Sequence, residues 1–259
     1  MKDLKHLYYF ENLLQESNND LVKKAKEDGG IALGYTCYHI PEVLLNCGDC
    51  FSVRLRAPRT GSMDIATYYM SNFLCGYSKA ILERAIEGGY NFLNALLSSE
   101  TCSEMNRAAE HFELLDLVPN DKFFLTFLDA PFKIEEHTIK HYVNQTKVKI
   151  LDKLKEVYGV DTSDEALLKA VEEHNEVCRL MTEIGDYRKE ENPRITGYEY
   201  HILNLITYCC PKKLILPALR ETAEELKTRE PDQKKNYRAK IVVVGSEMDD
   251  PDFTSLIED

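Results

Sequence analysis

Four short apolar runs dominate the first half of the chain: IALGYTC (31–37), SVRLRA (52–57), ALLSSE (95–100) and FFLTFLDA (123–130), the last closed by Pro131. Their length, apolar character and turn-forming flanks read as strands. Stretches with helical spacing lie around them, over about 4–27, 64–87 and 103–115, and Pro41 opens a short helical turn after the first strand. Glycine pairs at 29–30 and 88–89 end two of the helices. Strand and helix in alternation predict a parallel sheet covered on both faces. That prediction also constrains chemistry, because such sheets gather it at the carboxyl ends of their strands. Cys37 and Cys102 both follow strands at that end.

The second half changes character. Residues about 134–158, 163–190, 197–209 and 212–228 all carry helical patterns, with Gly159 and the capping sequence Thr162-Ser163-Asp164-Glu165 between the first two. TREPDQKKNYR (228–238) is polar and holds a proline, so it reads as a linker. KIVVVGSEMDDPDFTSLIED (240–259) then reads as strand, turn and opening helix. The expectation is therefore an α/β fold: a small parallel four-stranded sheet flanked by helices, an additional helical segment, and the start of a second α/β domain. The first domain is expected over residues 1–230, and the second over 239–259, cut off. An orphan strand at 241–244 would have to pair with something or be poorly ordered.

The formal charge of −12, from 32 basic and 44 acidic residues, argues against nucleic acid as the main ligand. No apolar run reaches the roughly 18 residues of a membrane helix, and MKDLKHLYYFENLL lacks the features of a signal peptide. The chain is expected to be cytoplasmic, with no membrane partner. In a reducing compartment its eight cysteines are poor disulfide candidates.

Cys75 lies near the start of a helix in SNFLCGYSK, and Cys102 sits at a strand-to-helix turn in SSETCSEMN. A thiol at a helix N-terminus is favoured as thiolate, the form that binds iron. Their separation matches no compact metal motif, so packing as small apolar residues stays open for both. Cys47-Gly48-Asp49-Cys50 follows a helix and precedes a strand, the reverse of a thioredoxin-like site. Cys178, inside a helix, reads as core packing, and His137 and His141 read as a solvated face. No G-x-S-x-G, Walker loop or G-x-G-x-x-G after a strand is present.

Several stretches together resemble subunits of the 2-hydroxyacyl-CoA dehydratase / benzoyl-CoA reductase family, including the 2-hydroxyglutaryl-CoA dehydratase D-component. They are GYTCYHIPEVLLNCG, SVRLRA, LCGYSKAILERAIEGG, SSETCSEMNR, FFLTFLDAPFK and GVDTSDEALLKAVEEHNEVCRLMTEIGDYRKEENPRITGYE. They occur in the family's order and span nearly the whole chain. Two departures stand out: Val43 where the family often has a second glutamate, and Ser103 where an acid often follows the second cysteine.

The resemblance implies two similar α/β domains with a [4Fe–4S] cluster between them, held by three cysteines. Two match Cys75 and Cys102, and the third is expected beyond residue 259. It implies an oxygen-sensitive lyase, a subunit that removes water from a 2-hydroxyacyl-CoA through a ketyl radical. The implied partners are a second dehydratase subunit, an ATP-dependent iron–sulfur activator protein that injects one electron, and the acyl-CoA. By the same resemblance the turn after the first strand meets substrate, with Tyr35 and Glu42 as candidate catalytic groups and Thr36, Cys37 and Tyr38 as candidate binding groups. Turn and helix-cap roles remain open for these residues. Alternatives are a benzoyl-CoA-reductase-like or double-cubane-type low-potential reductase, or a non-catalytic half-subunit that completes a partner's site. The chain alone is expected to be inactive, since two thiolates hold a cluster poorly.

Overall fold

The computed structural model describes residues 3–58, 60–233, 238–245 and 248–258. Four parallel strands form one sheet: β1 (Ile31–Tyr35), β2 (Cys50–Arg54), β3 (Ala95–Ser99) and β4 (Phe124–Leu128), in the order β2-β1-β3-β4. Successive side chains of a strand point to opposite faces. Ala32, Phe51, Val53 and Leu96 accordingly enter one apolar core, while Leu33, Tyr35, Ala95 and Leu97 enter another. Helices cover both faces, as the strand–helix alternation predicts.

The helices are α1 (Leu7–Leu13), α2 (Asp20–Glu27), α3 (Asp64–Tyr69), α4 (Gly76–Ile86), α5 (Ser103–Leu114), α6 (Glu136–Thr146), α7 (Lys153–Tyr158), α8 (Asp164–Asp186), α9 (Gly197–Cys209), α10 (Lys212–Thr228) and α11 (Pro251–Glu258). A 3-10 turn over Glu42–Asn46 joins β1 to β2, and a wide turn over Lys147–Asp152 joins α6 to α7. A third core binds α1, α8, α9 and α10 together through residues such as Phe10, Ile184, Ile206 and Leu219.

Two long helices expected from periodicity are broken, for local reasons. The run over 4–27 divides because the Asn19 side chain accepts from the amides of Leu21 and Val22, at 3.1 Å each, and starts α2 anew. The run over 64–87 divides at Met70, whose backbone is extended. The Glu83 carboxylate then accepts the Ala66 amide at 2.7 Å and folds α3 back onto α4. This break lets a second helix begin directly after Cys75.

The closing segment also differs from its expected form. Ile241–Val244 is in no strand pairing, and its side chains are largely exposed. A strand persists only through a neighbour's hydrogen bonds, and no described residue supplies them here. The following α11 does form and docks on α9. Glu258 accepts the amides of Gly197 and Tyr198 at 2.6 and 3.0 Å, where a side chain on Gly197 would collide with the carboxylate.

Candidate functional site

The strand order reverses between β1 and β3, and in parallel α/β sheets such a reversal marks the crevice position at the carboxyl ends of the strands. Thr36 and Ser98, one from each strand end and both buried, share a hydrogen bond of 3.2 Å there, and Ser98 reaches Asn106 of α5 at 3.4 Å. Cys37 follows Thr36 and is half-buried. The carboxyl-end face also receives the N-termini of α4 and α5. Cys75 is the N-cap residue of α4 and Cys102 that of α5, and both are exposed. Glu104, in the first turn of α5, accepts the Cys75 amide at 2.9 Å and holds the two helix starts together. Phe73, two residues before Cys75, is 97% exposed. Ser98, Asn106 and Glu104 were not singled out from sequence, although Ser98 has the strand-end position that marks a crevice residue.

Glu42 lies behind this crevice in a buried polar cluster. Its Oε1 accepts from Lys212 at 2.8 Å, from Asn46 at 2.9 Å and from the Ser52 hydroxyl. Its Oε2 lies 3.2 Å from His174 Nδ1. That approach is oblique, an ion-pair contact more than a straight hydrogen bond, and neither atom has another partner among the described residues. Burial alone would raise the carboxyl pKa; His174, Lys212 and Ser52 outweigh it and hold the group at about 2. Glu42 is thus held as an anion at neutral pH and pins the turn carrying Cys37, Tyr38 and Pro41 onto α8 and α10. Tyr35 is also fully buried. Its hydroxyl has no hydrogen-bonding partner among the described residues, and burial, followed by the Glu42 charge, pushes its phenol well up.

Tyr38 stands beside the crevice, largely exposed, and accepts from Arg54 Nη1 at 2.8 Å. The Arg54 guanidinium lies 5.7 Å from the Tyr38 ring and 5.5 Å from that of Tyr208, whose phenol is pushed up to about 12 by burial and then by Tyr38. Asp249 completes this group: its Oδ1 accepts from Arg54 at 3.1 Å and from Arg56 at 2.7 Å. Two buried arginines therefore receive a carboxylate from the C-terminal segment.

The remaining thiols divide by burial. Cys47, Cys50, Cys209 and Cys210 are buried, and burial followed by Cys47 pushes Cys50 up to about 12. A redox C-x-x-C role does not suit a thiol so reluctant to ionise. Cys178 corrects the sequence reading: it is exposed on α8 instead of packed in a core, with His174 Nε2 3.4 Å from its sulfur. The α8 stripe buries Val177, Leu180 and Met181, which turns Cys178 outward. His137 and His141 are exposed, as the sequence suggested. No group of three or more His, Cys, Asp or Glu side chains poised for a metal occurs among the described residues. Cys75 and Cys102 suit iron by chemistry as two accessible thiols, and they form an incomplete donor set. No helix among the described residues is long and apolar enough to cross a membrane.

The fold and site define a parallel α/β domain whose carboxyl-end face is lined with thiols and hydroxyls. Within that class the chain belongs to the 2-hydroxyglutaryl-CoA dehydratase D-component family, whose model matches residues 37–259. It is 22% identical over 250 residues to the (R)-phenyllactyl-CoA dehydratase beta subunit of Clostridium sporogenes, covering 96% of this chain and 65% of that one. It is 21% identical over 177 residues to (R)-2-hydroxyglutaryl-CoA dehydratase, subunit beta, of Acidaminococcus fermentans, covering 66% of this chain and 46% of that one. The chain thus spans less than two thirds of the length of the curated relatives it matches.

Proposed function

We propose that this chain serves as a subunit of a 2-hydroxyacyl-CoA dehydratase, a lyase that removes water from a 2-hydroxyacyl thioester. In this reading Cys75 and Cys102 supply two thiolates to a [4Fe–4S] cluster, and the missing donor comes from outside the described residues. A cluster bound there supplies low-potential electrons and a Lewis-acidic iron. The partners are a second dehydratase subunit, an ATP-dependent iron–sulfur activator and the acyl-CoA.

The observation that carries the reading is the pairing of the two thiols. They cap neighbouring helices at the carboxyl-end face, both reach solvent, and the Cys75 amide is tied to the first turn of the other helix through Glu104. Each chain residue has a defined task. Buried Thr36 and Ser98 tie the ends of β1 and β3 together through their shared hydrogen bond, and Cys37 and Tyr38 lie beside them at the rim. Glu42 holds that rim in place, and buried Tyr35 supports it from below. Two donors are too few for a closed site, which supports completion of the centre by further polypeptide and inactivity of this chain alone.

Anaerobic reconstitution with iron and sulfide tests the reading. Iron bound per chain is expected to fall in Cys75→Ser and in Cys102→Ser while remaining unchanged in Cys209→Ser. The cluster's visible absorbance is expected to be weak in the isolated chain. Equal iron in the parent and both exposed-cysteine variants would overturn the assignment.

A further inference from the structure

We propose that Cys178, His174 and Glu42 form a thiol–imidazole–carboxylate relay, and that Cys178 is a nucleophile that accepts acyl groups from thioesters. The choice of thioesters rests on the acyl-CoA reading above; the relay itself stands on its geometry.

The three side chains are connected in series. Cys178 Sγ lies 3.4 Å from His174 Nε2, and His174 Nδ1 lies 3.2 Å from Glu42 Oε2. The first link is fixed by helix geometry, because residues four apart on α8 share a face. The second comes from tertiary packing, which lays α8 against the Glu42 turn. A carboxylate at Nδ1 favours the tautomer with the proton there. Nε2 is then the acceptor for the cysteine S–H, the arrangement a general base requires. Burial is graded to match: Glu42 is buried, the imidazole is one-third exposed, and the thiol is open to solvent. The bonds to Lys212, Asn46 and Ser52 keep the carboxylate anionic and immobile. The oblique His174–Glu42 contact is the kind that tightens when a ligand arrives.

Position decides which electrophile fits. Cys178 lies inside α8, so its own amide belongs to the helical ladder and does not form an oxyanion pocket of the helix-N-terminal kind. Amide cleavage, with its poor leaving group, needs such a pocket. Exchange between a thiol and a thioester needs less, because the attacking and departing sulfurs are alike. In the step, the Cys178 proton passes to His174 Nε2 and the thiolate attacks the thioester carbonyl carbon. A new carbon–sulfur bond forms to Cys178, and the bond to the departing sulfur breaks. The departing thiolate takes the proton from His174. One thioester replaces another, and nothing is oxidised or reduced.

The test incubates the whole chain with the N-acetylcysteamine thioester of a simple carboxylic acid and maps the acylated peptides by mass spectrometry. Cys75 and Cys102, exposed in the same molecule, are the internal standards. Cys178 is expected to acylate about tenfold or more faster than either. His174→Gln is expected to bring it down to the rate of the standards. Glu42→Gln is expected to lower its maximal rate without changing the thioester concentration at half-saturation, a split that general loosening of the fold would not produce. A Cys178 rate equal to that of the standards, or an unchanged ratio in His174→Gln, overturns the proposal. Neither result bears on iron binding by Cys75 and Cys102, so the two readings fail separately.

Discussion

Lys212 Nζ lies 2.8 Å from Glu42 Oε1, and both side chains are shut away from water. The pair joins the first turn of α10 to the turn that leaves β1, so the helical half of the molecule grips the rim of the crevice. Lys212 also donates to the Thr207 carbonyl at 3.1 Å. Removing one partner of a buried pair leaves the other charge uncompensated, at a cost of about 3–5 kcal/mol. Lys212→Met is therefore expected to lower the urea midpoint strongly. Adding Glu42→Gln removes the stranded charge and is expected to recover part of the loss. If the double variant is less stable than Lys212→Met, the pair is not the source of the effect.

The same carboxylate makes stability depend on pH. Its folded pKa of about 2 lies below the ordinary 4.5, so the folded state binds this proton less readily than the unfolded chain. The contribution is fully present above the ordinary value and is lost as pH falls from there toward the folded value. The depression corresponds to a stabilisation on the order of 3 kcal/mol. Urea unfolding of the parent and of Glu42→Gln, measured across this acid range, is expected to show the parent's advantage shrinking as the solution becomes more acidic. An advantage that stays constant would mean that Glu42 is not the titrating group.

Asp249 fastens the C-terminal segment to the sheet through Arg54 and Arg56, of which Arg54 is only 1% exposed. The next anchors are His201, which contacts the Met248 carbonyl at 3.0 Å and the Thr254 hydroxyl at 2.7 Å, and Glu258 of α11, which accepts the Gly197 amide at the start of α9. Asp249→Ala leaves two guanidinium groups without their carboxylate, at a cost of about 2–4 kcal/mol. Hydrogen exchange is expected to accelerate in α11 while the amides of β1 and β3 stay protected. Equal acceleration in the sheet would show that the latch supports the whole domain and not the segment alone.

The parallel sheet was legible because each strand is a compact apolar run bounded by helical stretches, and both faces of such a sheet are buried. Cys102 was legible as a helix start for the same reason. The breaks at Asn19 and Met70 were not, since apolar spacing continues across them and the side chains that interrupt the helices, Asn19 and Glu83, act through specific hydrogen bonds. The Glu42 cluster was hidden more deeply. Ser52, His174 and Lys212 lie on three separate elements, and only tertiary packing makes them neighbours. Cys178 and His174 stand at a spacing that any helix would pair, yet a cysteine in a helix reads first as core. The outward tilt of that stripe depends on how α8 packs against α10. Arg54 and Arg56 alternate in the apolar run SVRLRA, and nothing in that pattern reveals the carboxylate from Asp249 that receives them.

Thiol counting offers a direct check on how the sheet and the helical layer close around one another. Cys75, Cys102 and Cys178 are exposed, Cys37 is half-buried, and Cys47, Cys50, Cys209 and Cys210 are buried. Reactivity follows access and thiolate character. The Cys47 thiol donates to the Asp161 carbonyl at 3.1 Å, and burial raises the pKa of both Cys50 and Cys210. A colorimetric disulfide reagent under native conditions is therefore expected to consume three thiols quickly and a fourth slowly, and all eight only after unfolding in guanidinium. Replacing Cys75 and Cys102 by serine should remove two from the fast phase and leave Cys178 as its sole member. A fast count above four would mean that the packing of α9 against β2 opens on the labelling timescale. A fast count below three would mean that the N-termini of α4 and α5 are covered in solution, and the exposed thiol pair on which the proposed iron binding rests would then be absent.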